Sequence, residues 1–265
     1  MIHELFDGRL PRLVMFDLDG TLIDSVPDLA AAVDRMLVEL GRTPAGVEKV
    51  RDWVGNGARV LVRRALAGGL DHAAVGEAET EEALARFLDI YADCHNLTVL
   101  YPGVHVLLEA LSTAAVELAV VTNKPERFVA PLLDEMKLGR YFRWIVGGDT
   151  LPQQKPDPAA LLFVMRLANV EPERALFIGD SRNDVLAARA AAVPCIAVSY
   201  GYNHGRPIAE ENPTRVLDDL RQLLPGCALE DAALMSPNSS DYPPHRDSLV
   251  VVASKQWMKV IKALA

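Results

Sequence analysis

Between residues 99 and 200 short, almost wholly apolar segments alternate with stretches of helical periodicity, and no other feature constrains the fold as tightly. The segments are Leu118-Ala119-Val120-Val121, Trp144-Ile145-Val146, Ala175-Leu176-Phe177-Ile178 and Cys195-Ile196-Ala197-Val198. Between and before them, the apolar spacing predicts helices over 104–114, 126–136, 158–168 and 184–192. A strand with no polar face must be buried on both sides, and intervening helices can supply both covers. The pattern therefore predicts an α/β fold, a Rossmann-like parallel sheet with helices on both faces. A further apolar run, Leu13-Val14-Met15-Phe16, belongs to the same sheet although residues 24–98 separate it from the rest.

Those intervening residues read as helical throughout. Ser25-Val26-Pro27-Asp28 looks like a helix start with Ser25 as N-cap, and Val26, Leu29, Ala30, Val33, Met36, Leu37 and Leu40 follow at helical spacing before Gly41. Further helices are predicted over 47–54, 58–67 and 75–94. The expected division is a core of residues 1–23 and 99–225, an inserted all-helical unit of 24–98, and a C-terminal extension of 226–265. In the extension, 236–241 and Pro243-Pro244 read as a linker. Residues 249–253 and an amphipathic helix over 255–264 close the chain.

Half of the 265 residues are hydrophobic and the formal net charge is -9. With no run of Lys or Arg, the chain offers no surface suited to nucleic acid or to an anionic membrane. No stretch approaches the roughly 20 apolar residues of a membrane span. Cys94, Cys195 and Cys227 are widely spaced and form no CxxC pair, which argues against a disulfide framework or a zinc site. The first residues lack an apolar core long enough for export. A cytoplasmic, globular protein is expected.

In a parallel sheet, ligands bind at the carboxyl ends of the strands, so the residues that follow each strand outline the site. The first strand runs into Asp17-Leu18-Asp19-Gly20-Thr21. Period-two alternation puts Asp17 and Asp19 on one side, and two carboxylates held together require a cation or a shared proton. The second strand ends in Thr122-Asn123-Lys124, a later loop carries Gln154-Lys155-Pro156-Asp157, and another strand ends in Gly179-Asp180-Ser181-Arg182-Asn183-Asp184. Each has a plainer reading. Asp19 and Gly20 suit a turn, Thr122 and Asn123 could cap the next helix, Lys155 could be a solvated loop lysine, and Asp184 could complement a helix dipole. Their joint occurrence at successive strand ends favours a single site.

This constellation resembles the haloacid dehalogenase superfamily of aspartate-based phosphotransferases, over about residues 13–200. The resemblance implies Asp17 as nucleophile and Asp19 as general acid and base. It implies Thr122, Asn123 and Lys155 as phosphate-binding groups. Mg²⁺ would be held by Asp17, Asp19 through its backbone carbonyl, and Asp180, with Asp184 as a more distant participant acting through water. The helical insert looks like the family's type-one cap. Dehalogenases of the superfamily lack the second aspartate, so Asp19 points to phosphoryl transfer through an aspartyl-phosphate.

Within the superfamily, Asp24-Ser25-Val26-Pro27-Asp28-Leu29, Trp53-Val54-Gly55-Asn56-Gly57-Ala58, Tyr101-Pro102-Gly103 and Val121-Thr122-Asn123-Lys124-Pro125 resemble bacterial phosphoglycolate phosphatases. That resemblance implies a small phosphorylated carboxylic acid as substrate and a monomer or homodimer. The loop Gly55-Asn56-Gly57, with Arg59 or Arg63 beyond it, is the expected carboxylate-facing element, unless it is only a turn between helices. A phosphatase for another small ester, a sugar-phosphate mutase and a non-catalytic binding module are the competing readings. The last would be expected to lack a motif carboxylate or Lys155, and this chain lacks neither.

Overall fold

The computed structural model describes residues 2–94, 96–224 and 251–252. Its main sheet is built from β1 (Leu13–Phe16), β4 (Glu117–Val121), β5 (Trp144–Val146), β6 (Ala175–Gly179), β7 (Cys195–Val198), β8 (Arg215–Leu217) and β9 (Val251–Val252). The strand order is β8-β7-β6-β1-β4-β5-β9, and every pairing in it is parallel. The α/β fold with helices on both faces is therefore as expected. β8 was not anticipated; Arg215-Val216-Leu217 is too short a run to announce itself beside the charged residues that follow it.

The strands bury both faces by simple alternation. Val14, Phe16, Leu118, Val120, Ile145, Leu176, Ile178, Ile196 and Val198 belong to one hydrophobic cluster, under α5 (Val104–Thr113) and α6 (Glu126–Glu135). Leu13, Met15, Ala119, Val121, Trp144, Phe177 and Ala197 belong to the other, under α7 (Ala159–Ala168) and α8 (Arg182–Ala190). Adjacent side chains of one strand thus serve opposite layers. This is why the strands carry no polar face.

Between β1 and β4 the chain leaves the sheet. α1 (Val26–Glu39), α2 (Val47–Trp53), α3 (Gly57–Ala67) and α4 (Glu77–Tyr91) pack on one another around Val33, Met36, Val50, Val62, Ala83 and Phe87. The exit and return run side by side as a short antiparallel ladder, β2 (Ile23–Asp24) against β3 (Val99–Leu100). Asp28 ties the two crossings together by accepting from the Thr98 hydroxyl at 2.6 Å and from the Leu97 amide. In the expected C-terminal extension, only Val251–Val252 falls among the described residues, as the edge strand beside β5. The linker, the 255–264 helix and Cys227 lie outside them. No described helix is long and apolar enough to cross a membrane.

Candidate active site

Parallel register carries the motif residues to one edge. Phe16 lies level with Val120 and Ile178, so the next residues along β1, β4 and β6 emerge together. Asp17 still belongs to the ladder through its amide, which donates to the Ile178 carbonyl at 2.9 Å. Its Oδ1 accepts from the Leu18 amide at 2.7 Å and faces the Lys155 ammonium at 3.0 Å. Burial outweighs these partners and pushes the Asp17 carboxyl up to about 6, with Asp184 adding to the rise. A carboxylate so placed lacks sufficient positive charge around it.

Lys155 is not a solvated loop lysine. It is 3% exposed, and its ammonium lies 2.7 Å from Asp184 Oδ1 as well as against Asp17. Asn123 fixes the loop that delivers it, accepting from the Lys155 amide at 3.0 Å and donating to the Lys155 carbonyl at 2.9 Å. The alternative that Thr122 and Asn123 cap α6 does not hold, since the N-cap position is Pro125 and no side chain caps it. Thr122 is buried and turns its hydroxyl toward the Lys124 amide, at 3.3 Å.

Asp19 has a separate set of partners. Its Oδ1 accepts from the Ser25 hydroxyl at 2.5 Å and lies 3.0 Å from the Lys124 ammonium. The expectation for Ser25 needs correcting: it occupies the N-cap position of α1 but makes no capping hydrogen bond, because its hydroxyl is committed to Asp19. Lys124 also donates to the Tyr91 hydroxyl at 2.6 Å, linking the strand-end carboxylate to α4. Neither Lys124 nor Tyr91 was singled out from sequence. The available signal was the position of Lys124, directly after Thr122-Asn123 at a strand end.

Asp180 is held by neutral donors, the Thr21 hydroxyl at 2.8 Å and the Tyr202 amide at 2.6 Å. It has no cationic partner among the described residues, and burial together with Asp184 and Asp17 drives its carboxyl well above the ordinary range. Gly20 and Gly201 clear the space: a Cβ on either would lie 2.2 Å from an Asp180 atom. Asp184 faces the other way. Its Oδ2 accepts from the amides of Asp180 and Ser181 and from the Ser181 hydroxyl, forming a capping box at the start of α8, while Oδ1 takes Lys155. The plain reading of Asp184 as a helix-start acid holds, and the same carboxylate also pairs with Lys155.

Carboxylate oxygens of Asp17, Asp180 and Asp184 lie within 4.8 Å of one another, all buried. Hard oxygen donors at that spacing, two of them under-compensated in charge, fit a divalent cation. Asp17 and Asp180 have the most free capacity; Asp184 has three donors on Oδ2 and Lys155 on Oδ1.

The helical insert closes over these groups. The carbonyl of Gly55, between α2 and α3, accepts from the Asn123 and Asn183 side-chain amides, each at 3.0 Å. Gly57 takes a φ of +80°, and a Cβ there would meet the Asn123 carbonyl at 3.2 Å, so glycine is what permits this approach. Beneath the loop is a cavity of about 50 Å³, floored by Asp17, Asp19, Thr122, Asn123 and Lys124 and walled by Leu29, Val54, Leu61, Phe87 and Phe128. Arg59 and Arg63 do not line it. Arg59 pairs with Glu77 and Glu81, and Arg63 bonds His72 and the Val75 carbonyl.

The arrangement sets the Asp17 carboxylate beside a fixed ammonium, with the Asp19 carboxylate two residues further on and a cluster of Asp17, Asp180 and Asp184 that fits a divalent cation. This is the outline of phosphoryl transfer to aspartate. The model of the haloacid dehalogenase-like hydrolases matches residues 14–198, and the chain belongs to that family. Among its relatives is Phosphoglycolate phosphatase 1 of Pseudomonas aeruginosa, 69% identical over 263 residues that span 99% of this chain and 96% of the relative. The Phosphoglycolate phosphatase of Pseudomonas putida is 66% identical over the same shares. Of the solved structures, one described as a predicted phosphoglycolate phosphatase from Haemophilus somnus 129pt superposes with a TM-score of 0.74. It is 38% identical, and the match covers 78% of this chain and 94% of that one.

Proposed function

We propose that the protein is an Mg²⁺-dependent phosphatase that hydrolyses 2-phosphoglycolate to glycolate and inorganic phosphate. The observation that carries the substrate is the 69% identity, across nearly the whole chain, to a relative named for that activity. The small cavity above Asp17 and Asp19, overhung by the Gly55 loop, supports a small ester. Residues 24–98 serve as the cap and residues 1–23 and 99–225 as the catalytic core.

Asp17 attacks phosphorus and takes the phosphoryl group, splitting one difficult transfer into two easier ones. Lys155 sits where charge spreads over the transferring oxygens, and Asn123 holds it there from both sides of its peptide. Thr122 supports the phosphate end. Asp19 passes its proton to the departing ester oxygen and then takes one from the attacking water. Ser25 and Lys124 keep its carboxylate aimed at the cavity. Asp17 and Asp180 through their carboxylates, and Asp19 through its backbone carbonyl, would hold Mg²⁺, which offsets the repulsion between carboxylate and phosphate dianion. Asp184 acts from behind by orienting Lys155 and the Asp180 loop.

The direct test is phosphate release from a panel of small esters with and without Mg²⁺. Preferential, Mg²⁺-dependent turnover of 2-phosphoglycolate to free phosphate and glycolate is expected. Ready turnover of other esters with poor turnover of this one overturns the substrate, and an isomerised phosphate product overturns hydrolysis.

A further inference from the structure

We propose that Lys124 recognises the substrate's carboxylate, making it the residue that sets specificity; this rests on the phosphoglycolate reading above. A phosphoglycolate molecule presents two anions, and the groups around Asp17 account for only one. Lys155, Asn123 and Thr122 gather at the phosphate end. The carboxylate, brought into a cavity walled by Leu29, Val54, Leu61, Phe87 and Phe128, needs a cation of its own. Lys124 is the one cationic side chain lining that cavity among the described residues. The arginines expected for the task, Arg59 and Arg63, are engaged elsewhere on the insert.

Position argues the same way. Asp19 must face the ester oxygen to serve it as acid, and the Lys124 ammonium lies 3.0 Å from Asp19 Oδ1. In 2-phosphoglycolate a single methylene separates the ester oxygen from the carboxylate, so a carboxylate oxygen falls in the neighbourhood of Lys124 when the ester oxygen meets Asp19. Lys124 is 6% exposed, so a bound carboxylate meets a cation largely shielded from water. An ammonium carries three donors, and among the described residues Asp19 and Tyr91 are its hydrogen-bond partners. Because Tyr91 comes from α4 of the insert, the ammonium is held jointly by the core, through Asp19, and by the insert.

The test compares kcat/KM for 2-phosphoglycolate and for ethyl phosphate, the same ester without the carboxylate, in the wild type, Lys124→Met, Lys124→Gln and Lys124→Arg. Losing a charge-assisted hydrogen bond in a buried site predicts that the preference for 2-phosphoglycolate falls about 10- to 100-fold in whichever neutral variants fold. The loss is expected mainly in KM, with Lys124→Arg recovering part of it. If Lys124 serves only to hold Asp19, both esters fall together and the preference is unchanged, which overturns the inference. A wild type with no preference for 2-phosphoglycolate overturns the proposed function instead.

Discussion

Asp17 illustrates how burial and function meet in one side chain. With its carboxyl pushed up to about 6, protons compete with a cation for the same oxygens in the metal-free protein. The apparent Mg²⁺ affinity should therefore weaken as pH falls through about 6, and by more than tenfold per unit wherever Asp180 takes up a proton as well, which calorimetric titration at several pH values will show. The stability consequence has the opposite sign from an ordinary salt-bridged aspartate. A raised folded-state value means the folded protein holds the proton more tightly, so metal-free stability declines between about pH 4 and pH 6 and saturating Mg²⁺ removes the decline. Asp17→Asn should lower turnover by about 10³-fold or more while leaving the fold intact, checked by phosphate release and circular dichroism. Gly201→Ala forces a methyl group onto Asp180 and should abolish measurable Mg²⁺ binding.

At the scale of elements, α4 does two jobs. Phe87 is 1% exposed and stacks on Tyr91 with ring centroids 5.6 Å apart, so the helix both fills the insert's core and aims a hydroxyl at Lys124. Phe87→Ala should cost about 3–5 kcal/mol, read by urea denaturation, and should also weaken substrate binding by loosening Tyr91. The strand-end motifs were legible in the sequence because a parallel sheet leaves few places for a carboxylate that follows an apolar strand. The direction taken by Lys124 was not legible: its partner Tyr91 is 33 residues away in the chain, and no local periodicity tells a buried ammonium from a solvated one. Arg59 and Arg63 were misread for a related reason. They share a face of α3, but the acidic residues Glu77 and Glu81 of α4 lie opposite that face and hold Arg59, so the apolar side, with Ala58 and Leu61, turns to the cavity.

At the scale of the whole molecule, polar contacts from Ser25, Asp52, Gly55 and Tyr91 join the insert to the core among the described residues. The Gly55 carbonyl, gripped by Asn123 and Asn183, is prominent among them. Asn183→Ala removes one of these hydrogen bonds without touching Lys155 and should raise KM about fivefold with little change in kcat, since one such bond is worth about 1 kcal/mol. Asn123→Ala should cost more, because Asn123 also fixes Lys155.

The chain crosses between core and insert at Ile23–Asp24, and Ser25 is the first residue beyond that ladder. Ser25 is also the residue whose hydroxyl grips Asp19. Together with Tyr91, which steadies Lys124, it places two supports of the Asp19 carboxylate on the insert. Any movement of the insert away from the core would uncover the cavity and release Asp19 from Ser25 together, so admission of a ligand and the aim of this carboxylate are mechanically coupled.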